Sequence, residues 1–405
     1  MALLAPFRAL RPAASVAALV AAVPYDVVTT EEARTQVEGN ALSFLHVSRA
    51  EIDLPPGTDP HSDRVYARAV ANYATLKRAA PMLEEATRSV YVYRLRASGH
   101  EQTGIAACFS MDEYERDVIK KHERTRQDKE DDRTRHLLDL RAQTGPVFLV
   151  YRGVASIDAV VRRVSTGAPL YDFIAADAVQ HTLWRADERE AQTLVELFGR
   201  IPALYIADGH HRAASAARAR RQLQGSSATD GEWDTFLAVA FPDAQVRILP
   251  YNRVVRDLGS LTSASLLRAL AERFTIKAGP PAPERRGEVA IFVDGRWHTI
   301  VLRTPGPEAS PMDCLDVSRL QDDVLTPILG IGDVRSDARI DFVGGARGTA
   351  ELERLVRSGG AAVALSMHPT SVDDLMAIAD AGGIMPPKST WFEPKLRDGL
   401  LIHEI

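Results

Sequence analysis

The run Ala203-Leu204-Tyr205-Ile206-Ala207-Asp208-Gly209-His210-His211-Arg212 constrains this chain more than any other stretch. Five apolar residues end on Asp-Gly, and an alanine-rich segment over 212–223 follows at once. A short apolar run closed by a glycine turn reads as a buried strand, and the alanines read as helix. The chain must therefore turn from strand to helix within about two residues. The first N–H groups of a helix lack intrahelical partners and point outward. The helix dipole adds partial positive charge there, so the turn favours a bound anion. Gly209 has no Cβ to block close approach of a ligand. Arg212 has the fork geometry for two phosphate oxygens. His210 and His211 add donors, and Asp208 at the strand end is placed to hold Mg²⁺ or orient a hydroxyl. An ordinary Asp-capped helix explains Asp208 but not the two histidines and the arginine. A zinc reading stays open beside these, although adjacent histidines rarely aim at one ion and no H-E-x-x-H pattern accompanies them.

The chain is 405 residues long, enough for about two or three ordinary domains. Its composition, 45% hydrophobic and 25% charged, is that of a globular protein. A net charge of −5 argues against a general nucleic-acid coat. The two cysteines, Cys108 and Cys314, exclude a disulfide framework or a cysteine-rich zinc site, and a reducing cytoplasm is the expected setting. The apolar run Val16–Val23 follows Arg8 and Arg11 but leads into Pro24-Tyr25-Asp26 rather than a small-residue cleavage site. It reads as a buried helix end, and no run has the length of a membrane span.

Along the chain, residues 64–80 have helical spacing and stop at Pro81. Residues 89–96 and 103–110 alternate as strands of a hairpin around Ser98-Gly99-His100-Glu101. Residues 112–121 and 130–142 read as charged helices with a polar joint at 122–130. Strands are expected at 147–152, 170–175, 179–185, 235–241 and 246–250. Asp187 should cap a helix through Phe198, and 224–232 reads as a loop. After Asn252 a helix over 261–273, a turn-rich linker at 279–287 and a hairpin over 288–303 across Asp294-Gly295 are expected. An α/β alternation over 340–381 completes the chain. A boundary near 255 divides 1–254, carrying the catalytic residues, from a C-terminal α/β region, 255–405, that ends in the MPPKST loop.

Three further segments carry candidate chemistry. His122-Glu123-Arg124-Thr125 lies in a run too charged to be core; Glu123 is a candidate base or metal ligand, and Lys121, Arg124 and Arg126 are candidates to grip an anion. A solvated helix face is the plainer reading of the same run. His46-Val47-Ser48-Arg49-Ala50-Glu51 follows an apolar stretch and reads as the polar end of a strand, with Glu51 a candidate base, or else as an ordinary loop. Met385-Pro386-Pro387-Lys388-Ser389-Thr390 presents three donors behind two prolines, as a phosphate-facing loop or a stiff docking tail. Pro24-Tyr25-Asp26-Val27 reads as a packing turn. Neither a P-loop nor the protein-kinase motif set occurs. Gly344-Gly345-Ala346-Arg347-Gly348 lacks dinucleotide-loop spacing.

Taken in order, PYDV at 24–27, HVSRAE at 46–51, KHERT at 121–125, ADGHHR at 207–212, PYNRVV at 250–255 and MPPKSTWFEPKLRDGL at 385–400 resemble the landmarks of the domain-of-unknown-function family 1015. The resemblance spans nearly the whole chain. The DGHHR turn of that family is similar to the phosphate-binding turn of the ParB/sulfiredoxin-like superfamily, which includes free-serine kinases. It implies a mixed α/β, or α+β, fold: a ParB/sulfiredoxin-like core within 1–254 and an added α/β C-terminal region. It also implies phosphoryl transfer to the hydroxyl of free L-serine or a similar small molecule, from pyrophosphate or a nucleotide, with Mg²⁺. On that analogy Gly209, His210, His211 and Arg212 hold the donor phosphate, helped by Arg124, Lys388, Ser389 and Thr390. Asp208 serves the metal or the hydroxyl, Glu51 matches an N-terminal catalytic glutamate, and Glu123 with His122 offers a second acid–base pair. Arg49 and His46 are the expected substrate contacts. Val47 and Ala213 depart from the family's proline-rich start and from its aromatic residue after the turn, which puts the substrate contacts in question. A phosphate-ester hydrolase and a nucleotide-gated DNA-binding protein are the alternatives; the acidic charge and the lack of a helix-turn-helix pattern weigh against the latter. The expected partners are a small-molecule acceptor and a phosphate donor, with a homodimer allowed and neither nucleic acid nor a membrane expected.

Overall fold

A computed structural model describes residues 3–224 and 231–405, and shows a mixed α/β fold divided into two units. The first comprises Met1–Val246 together with Pro394–Ile405, the second Arg247–Glu393. The division thus falls eight residues before the expected 254/255 boundary, and the final twelve residues belong with the first unit. Local composition marks the boundary poorly because the returning segment is held by pairing partners far away in sequence. His403–Glu404, for example, pairs antiparallel with Ala142–Gln143.

The first unit is built on a nine-stranded mixed sheet. Its strands are β1 (Leu4–Ala5), β2 (Tyr91–Ala97), β3 (His100–Ser110), β4 (Ile119–Lys120), β5 (Val147–Tyr151), β6 (Tyr171–Ile174), β7 (Gln180–Arg185), β8 (Leu204–Asp208) and β9 (Thr235–Pro242). They run in the order β4-β8-β5-β9-β3-β2-β7-β6, with β1 on β3. Every residue of β5 is buried, as suits an apolar strand in the middle of a sheet. The β2/β3 hairpin turns at Ser98-Gly99, where expected. Five helices matter here: α1 (Asp63–Ala79), α2 (Gln127–Leu140), α3 (Ala155–Val164), α4 (Glu188–Phe198) and α5 (His210–Gln224). Asp187 caps α4 through the Glu190 N–H at 2.8 Å. Ala213, Ala216, Ala217 and Ala219 of α5 bury in one cluster with Leu149, Ile206 and Ala238 of the sheet. Small side chains let this helix lie close on the strands. A second apolar cluster joins Phe44, Leu45, Val47, Val65 and Tyr73 beside Leu140 of α2.

Three local expectations change. The helix expected over 112–121 spans only Met111–Glu115; Asp117 turns to φ +60, and the chain continues as the edge strand β4. The segment 46–51 is not a strand end. Leu45–Ser48 is helical and Ala50–Asp53 is a 3₁₀ turn, begun by Ser43 Oγ accepting from the Leu45 N–H at 3.3 Å. Of 246–250, only Ile248–Leu249 is strand, and Pro250, lacking an N–H, ends it. The loop expected over 224–232 falls, for 225–230, outside the described residues.

The second unit holds a six-stranded sheet of β10 (Tyr251–Val255), β11 (Ile276–Ala278), β12 (Glu288–Val293), β13 (Arg296–Val301), β14 (Ile340–Gly344) and β15 (Val363–Met367). The order is β11-β13-β12-β15-β10-β14, and each paired neighbour runs antiparallel. The hairpin at Asp294-Gly295 and the helices Gly348–Arg357 and Val372–Asp380 lie where periodicity placed them. The alternation over 340–381 nevertheless builds no adjacent parallel pair, because β10 lies between β14 and β15.

Candidate active site

The end of β8 positions the site. The pairing of β8 with β5 is irregular between Ile206 and Asp208, a bulge that re-aims the last side chain of the strand. Gly209 follows at φ +93, in the left-handed region that L side chains avoid. A Cβ there would lie 3.0 Å from Arg212 Nε. Helix α5 then begins at His210, and its first hydrogen bond closes from the Ala213 N–H to the Gly209 carbonyl at 3.0 Å. His210, His211 and Arg212 thus form the first turn, as the sequence pattern implied.

One side of this turn is charged. Lys395 Nζ donates to Asp208 Oδ2 at 2.8 Å, and Arg212 Nη2 stands 3.7 Å from Asp208 Oδ1. Burial alone would raise the Asp208 carboxyl, but Lys395 and Arg212 outweigh it and hold it well below the usual carboxylate range. Arg212 Nη1 also donates to the Pro146 carbonyl at 2.6 Å, while its buried Nε has no hydrogen-bond partner among the described residues. Asp398 is buried, and its Oδ1 likewise lacks a partner. Desolvation pushes Asp398 up to about 7 against the pull of Arg212. Its carboxyl fills the space beside Gly145, where a Cβ would lie 2.4 Å from Oδ1.

The other side is made of imidazoles. The rings of His122 and His210 meet edge to face, with centroids 4.4 Å apart. The His122 backbone N–H donates to His210 Nε2 at 3.4 Å, and Glu123 Oε2 lies 3.8 Å from His210 Nδ1. The Arg126 backbone N–H donates to His211 Nε2 at 3.1 Å. Burial lowers His122 to about 4 and holds His210 well below its ordinary value, so both are neutral near pH 7. His122 is 2% exposed, which excludes the solvated-face reading for this residue. Arg124, beside it, is exposed.

Two solvent-connected clefts lie near the turn. One is lined by Arg212, Asp398, Ser215 and Gly145. The other is lined by Arg49, Glu51, Thr30 and Lys129. Tyr25, Ser48, Arg133 and His136 form walls of both. Helix α2 presents Arg133 and His136 three residues apart on one face. The Arg133 guanidinium stacks 4.2 Å from the Tyr25 ring centroid, and His136 Nε2 bonds the Val47 carbonyl at 3.0 Å. Desolvation lowers His136 to about 4. Glu51 is buried, accepts from Thr30 Oγ1 at 3.3 Å and pairs with Arg49 Nε at 3.0 Å.

His46 pairs with Asp53 at 2.8 Å and meets the Asn40 carbonyl at 3.3 Å, a local brace outside both cleft linings. Lys388, Ser389 and Thr390 belong to the second unit. There the Lys388 ammonium lies 5.5 Å from the Tyr251 ring centroid, and Ser389 Oγ donates to the Pro386 carbonyl at 2.6 Å. Mg²⁺ at Asp208 meets an electrostatic objection: the carboxylate is already neutralised by Lys395 and Arg212, which repel a further cation. Residue-by-residue reading passed over Lys395, Asp398, Arg133 and His136. Lys395 and Asp398 sit inside the quoted MPPKSTWFEPKLRDGL motif, which was the available signal.

The family model described as "Protein of unknown function (DUF1015)" matches residues 4–318. No curated protein matches in sequence. Similar solved structures include a free serine kinase variant in complex with ADP, at 14% identity and TM-score 0.36, covering 72% of this chain and 92% of that one. A conserved hypothetical protein from Pyrococcus furiosus is 15% identical at TM-score 0.36, covering 73% of this chain and 94% of its own. SbnI with a C-terminal truncation, from Staphylococcus aureus, is 9% identical at TM-score 0.37, with 72% and 85% covered.

Proposed function

Since the chain belongs to the DUF1015 family of proteins of unknown function, we propose that it is a phosphotransferase acting on the hydroxyl of free L-serine or a similar small molecule, with pyrophosphate or a nucleotide as donor. The observation that carries this reading is the pair of adjoining clefts, one at Arg212 and one at Glu51, with Tyr25, Ser48, Arg133 and His136 common to both. A donor phosphate fits the first and a hydroxylated amino acid the second.

The donor's phosphate rests against the Arg212 guanidinium and the outward N–H groups of the first turn of α5, with Lys395 adding charge through its seat on Asp208. Arg133, on the common wall, faces the group in transit. In the second cleft Arg49 and Lys129 meet the acceptor's carboxylate. The Glu51 carboxylate takes the proton from the acceptor hydroxyl as its oxygen bonds to phosphorus and the bond to the donor's bridging oxygen breaks. Phosphoryl transfer asks for position and charge stabilisation more than covalent help, and this set supplies both. Mg²⁺, where it accompanies a nucleotide or pyrophosphate, supplies charge neutralisation on the donor.

The test is a screen of L-serine, L-threonine and L-homoserine against pyrophosphate, ADP and ATP, followed by ³¹P NMR. A new phosphomonoester resonance that requires both acceptor and donor supports the reading. Cleavage of O-phospho-L-serine to inorganic phosphate with no donor present would replace it with a phosphatase.

A further inference from the structure

We propose that His122, Glu123 and His210 form a binding site for one divalent transition-metal ion, such as Zn²⁺, Co²⁺ or Mn²⁺. One nitrogen or oxygen from each of the three lies within 4.8 Å of the others. Two of the three come from elements far apart in sequence. His122 follows the edge strand β4, and His210 opens α5 after β8, the strand paired in parallel with β4. The parallel β4–β8 pairing is what lays one imidazole against the other.

The second observation is the state of His122. The ring is 2% exposed, and among the described residues neither of its nitrogens has a hydrogen-bond partner in good geometry. A buried imidazole normally satisfies its nitrogens, and leaving them unmet is unfavourable. The Ile206 carbonyl acts on the ring and favours a proton on one nitrogen. A carbonyl behind a ligating imidazole is the usual outer support of a metal-bound histidine, and it leaves the second nitrogen for the ion. On His210 the His122 backbone N–H occupies Nε2, which leaves Nδ1, the atom facing Glu123, as the ligand.

The donor set also selects the ion. Two imidazoles and one carboxylate suit Zn²⁺, Co²⁺ or Mn²⁺, whereas Mg²⁺ seeks oxygen ligands in a near-octahedral shell. Metal–ligand bonds of about 2.0–2.2 Å need the three atoms closer together than they stand. Glu123 is half-exposed and closes that distance by side-chain rotation. Three protein ligands leave at least one coordination position for water or another oxygen ligand, the pattern of catalytic rather than structural zinc sites.

The proposal stands apart from the phosphotransferase reading, and its test uses no substrate. The full chain is stripped with chelator, dialysed against Co²⁺ or Zn²⁺, and assayed by elemental analysis and by the visible absorption of Co²⁺. The wild type should retain one ion per chain and give a cobalt band that excess Mg²⁺ does not erase. Glu123→Gln, a substitution at a half-exposed side chain, should weaken binding at least about tenfold, and His210→Gln should abolish it. Circular dichroism melting confirms that each variant is folded; if His210→Gln is not, Glu123→Gln decides. Failure of the wild type to retain an ion, or retention by Glu123→Gln at wild-type affinity, overturns the proposal whether or not the chain transfers phosphate.

Discussion

The two sides of the Asp208–Arg212 turn share a backbone and differ in nearly everything else. On one, Asp208, Lys395 and Arg212 remain ionised and offset one another at 2.8 and 3.7 Å. On the other, His122 and His210 are kept neutral by burial. One strand–helix junction thus offers two chemically distinct surfaces. Paired charges with a surplus of cations suit an oxyanion, and unprotonated nitrogens suit a metal ion. Gly209 joins the two sides, with a left-handed backbone at φ +93 between the strand's last residue and the helix's first.

The largest expected effect comes from breaking the charged side. Asp208→Asn should lower kcat by on the order of 10³ while the melting curve keeps its cooperativity, because Lys395 and Arg212 lose the anion that positions them. An unchanged rate of phosphoester formation in ³¹P NMR would sink the assignment. Glu51→Gln comes next, with a loss of about 10²–10⁴ in kcat and little change in donor affinity, as expected for loss of a general base. A drop confined to donor affinity would place Glu51 with the donor instead.

Lys395→Met sharpens the comparison more gently. It leaves Asp208 with Arg212 alone, so a fall in stability of roughly 1–3 kcal/mol is expected for removing one partner of a largely buried pair. The Asp208 carboxyl then rises toward its ordinary range, which carbon-detected NMR of a labelled sample would register. Asp398 acts through pH. Its carboxyl is raised in the fold from 3.8 to about 7, so the native state holds a proton that the unfolded chain releases. Its stabilising effect is complete below about pH 4 and is lost as pH rises through 7. Relative to wild type, Asp398→Asn should therefore be more stable at pH 8 than at pH 4 by on the order of 1–4 kcal/mol, read from urea unfolding of both chains at both values. The smallest effect is at the junction: Gly209→Ala should cost about 1–2 kcal/mol from its φ of +93, seen as a lower melting temperature.

Local structure was legible because it is written in local pattern. The turns at Ser98-Gly99 and Asp294-Gly295, the Asp187 cap and the strand–helix junction at 204–210 all follow from spacing and capping chemistry. What periodicity does not carry is the partner across a long loop. Lys395 reaches Asp208 from 187 residues away, and the assignment of 394–405 to the first unit is equally non-local. His122 shows a second limit. Averaged over 120–130 its segment is too polar for a core, yet His122 is buried among neighbours that are intermediate or exposed. Glu51 was legible as a candidate, but its helical surroundings were not, because Ser43 begins a turn by a side-chain bond that no hydrophobic pattern records.

Calorimetric titration of pyrophosphate into the metal-free chain, with wild type and Arg212→Lys compared, tests directly whether Arg212 holds the donor phosphate. Lysine keeps the charge and loses the two-pronged contact, so the prediction is saturable binding to the wild type, weakened about tenfold or more in the variant. No binding to the wild type, or equal affinities for the two chains, would contradict it.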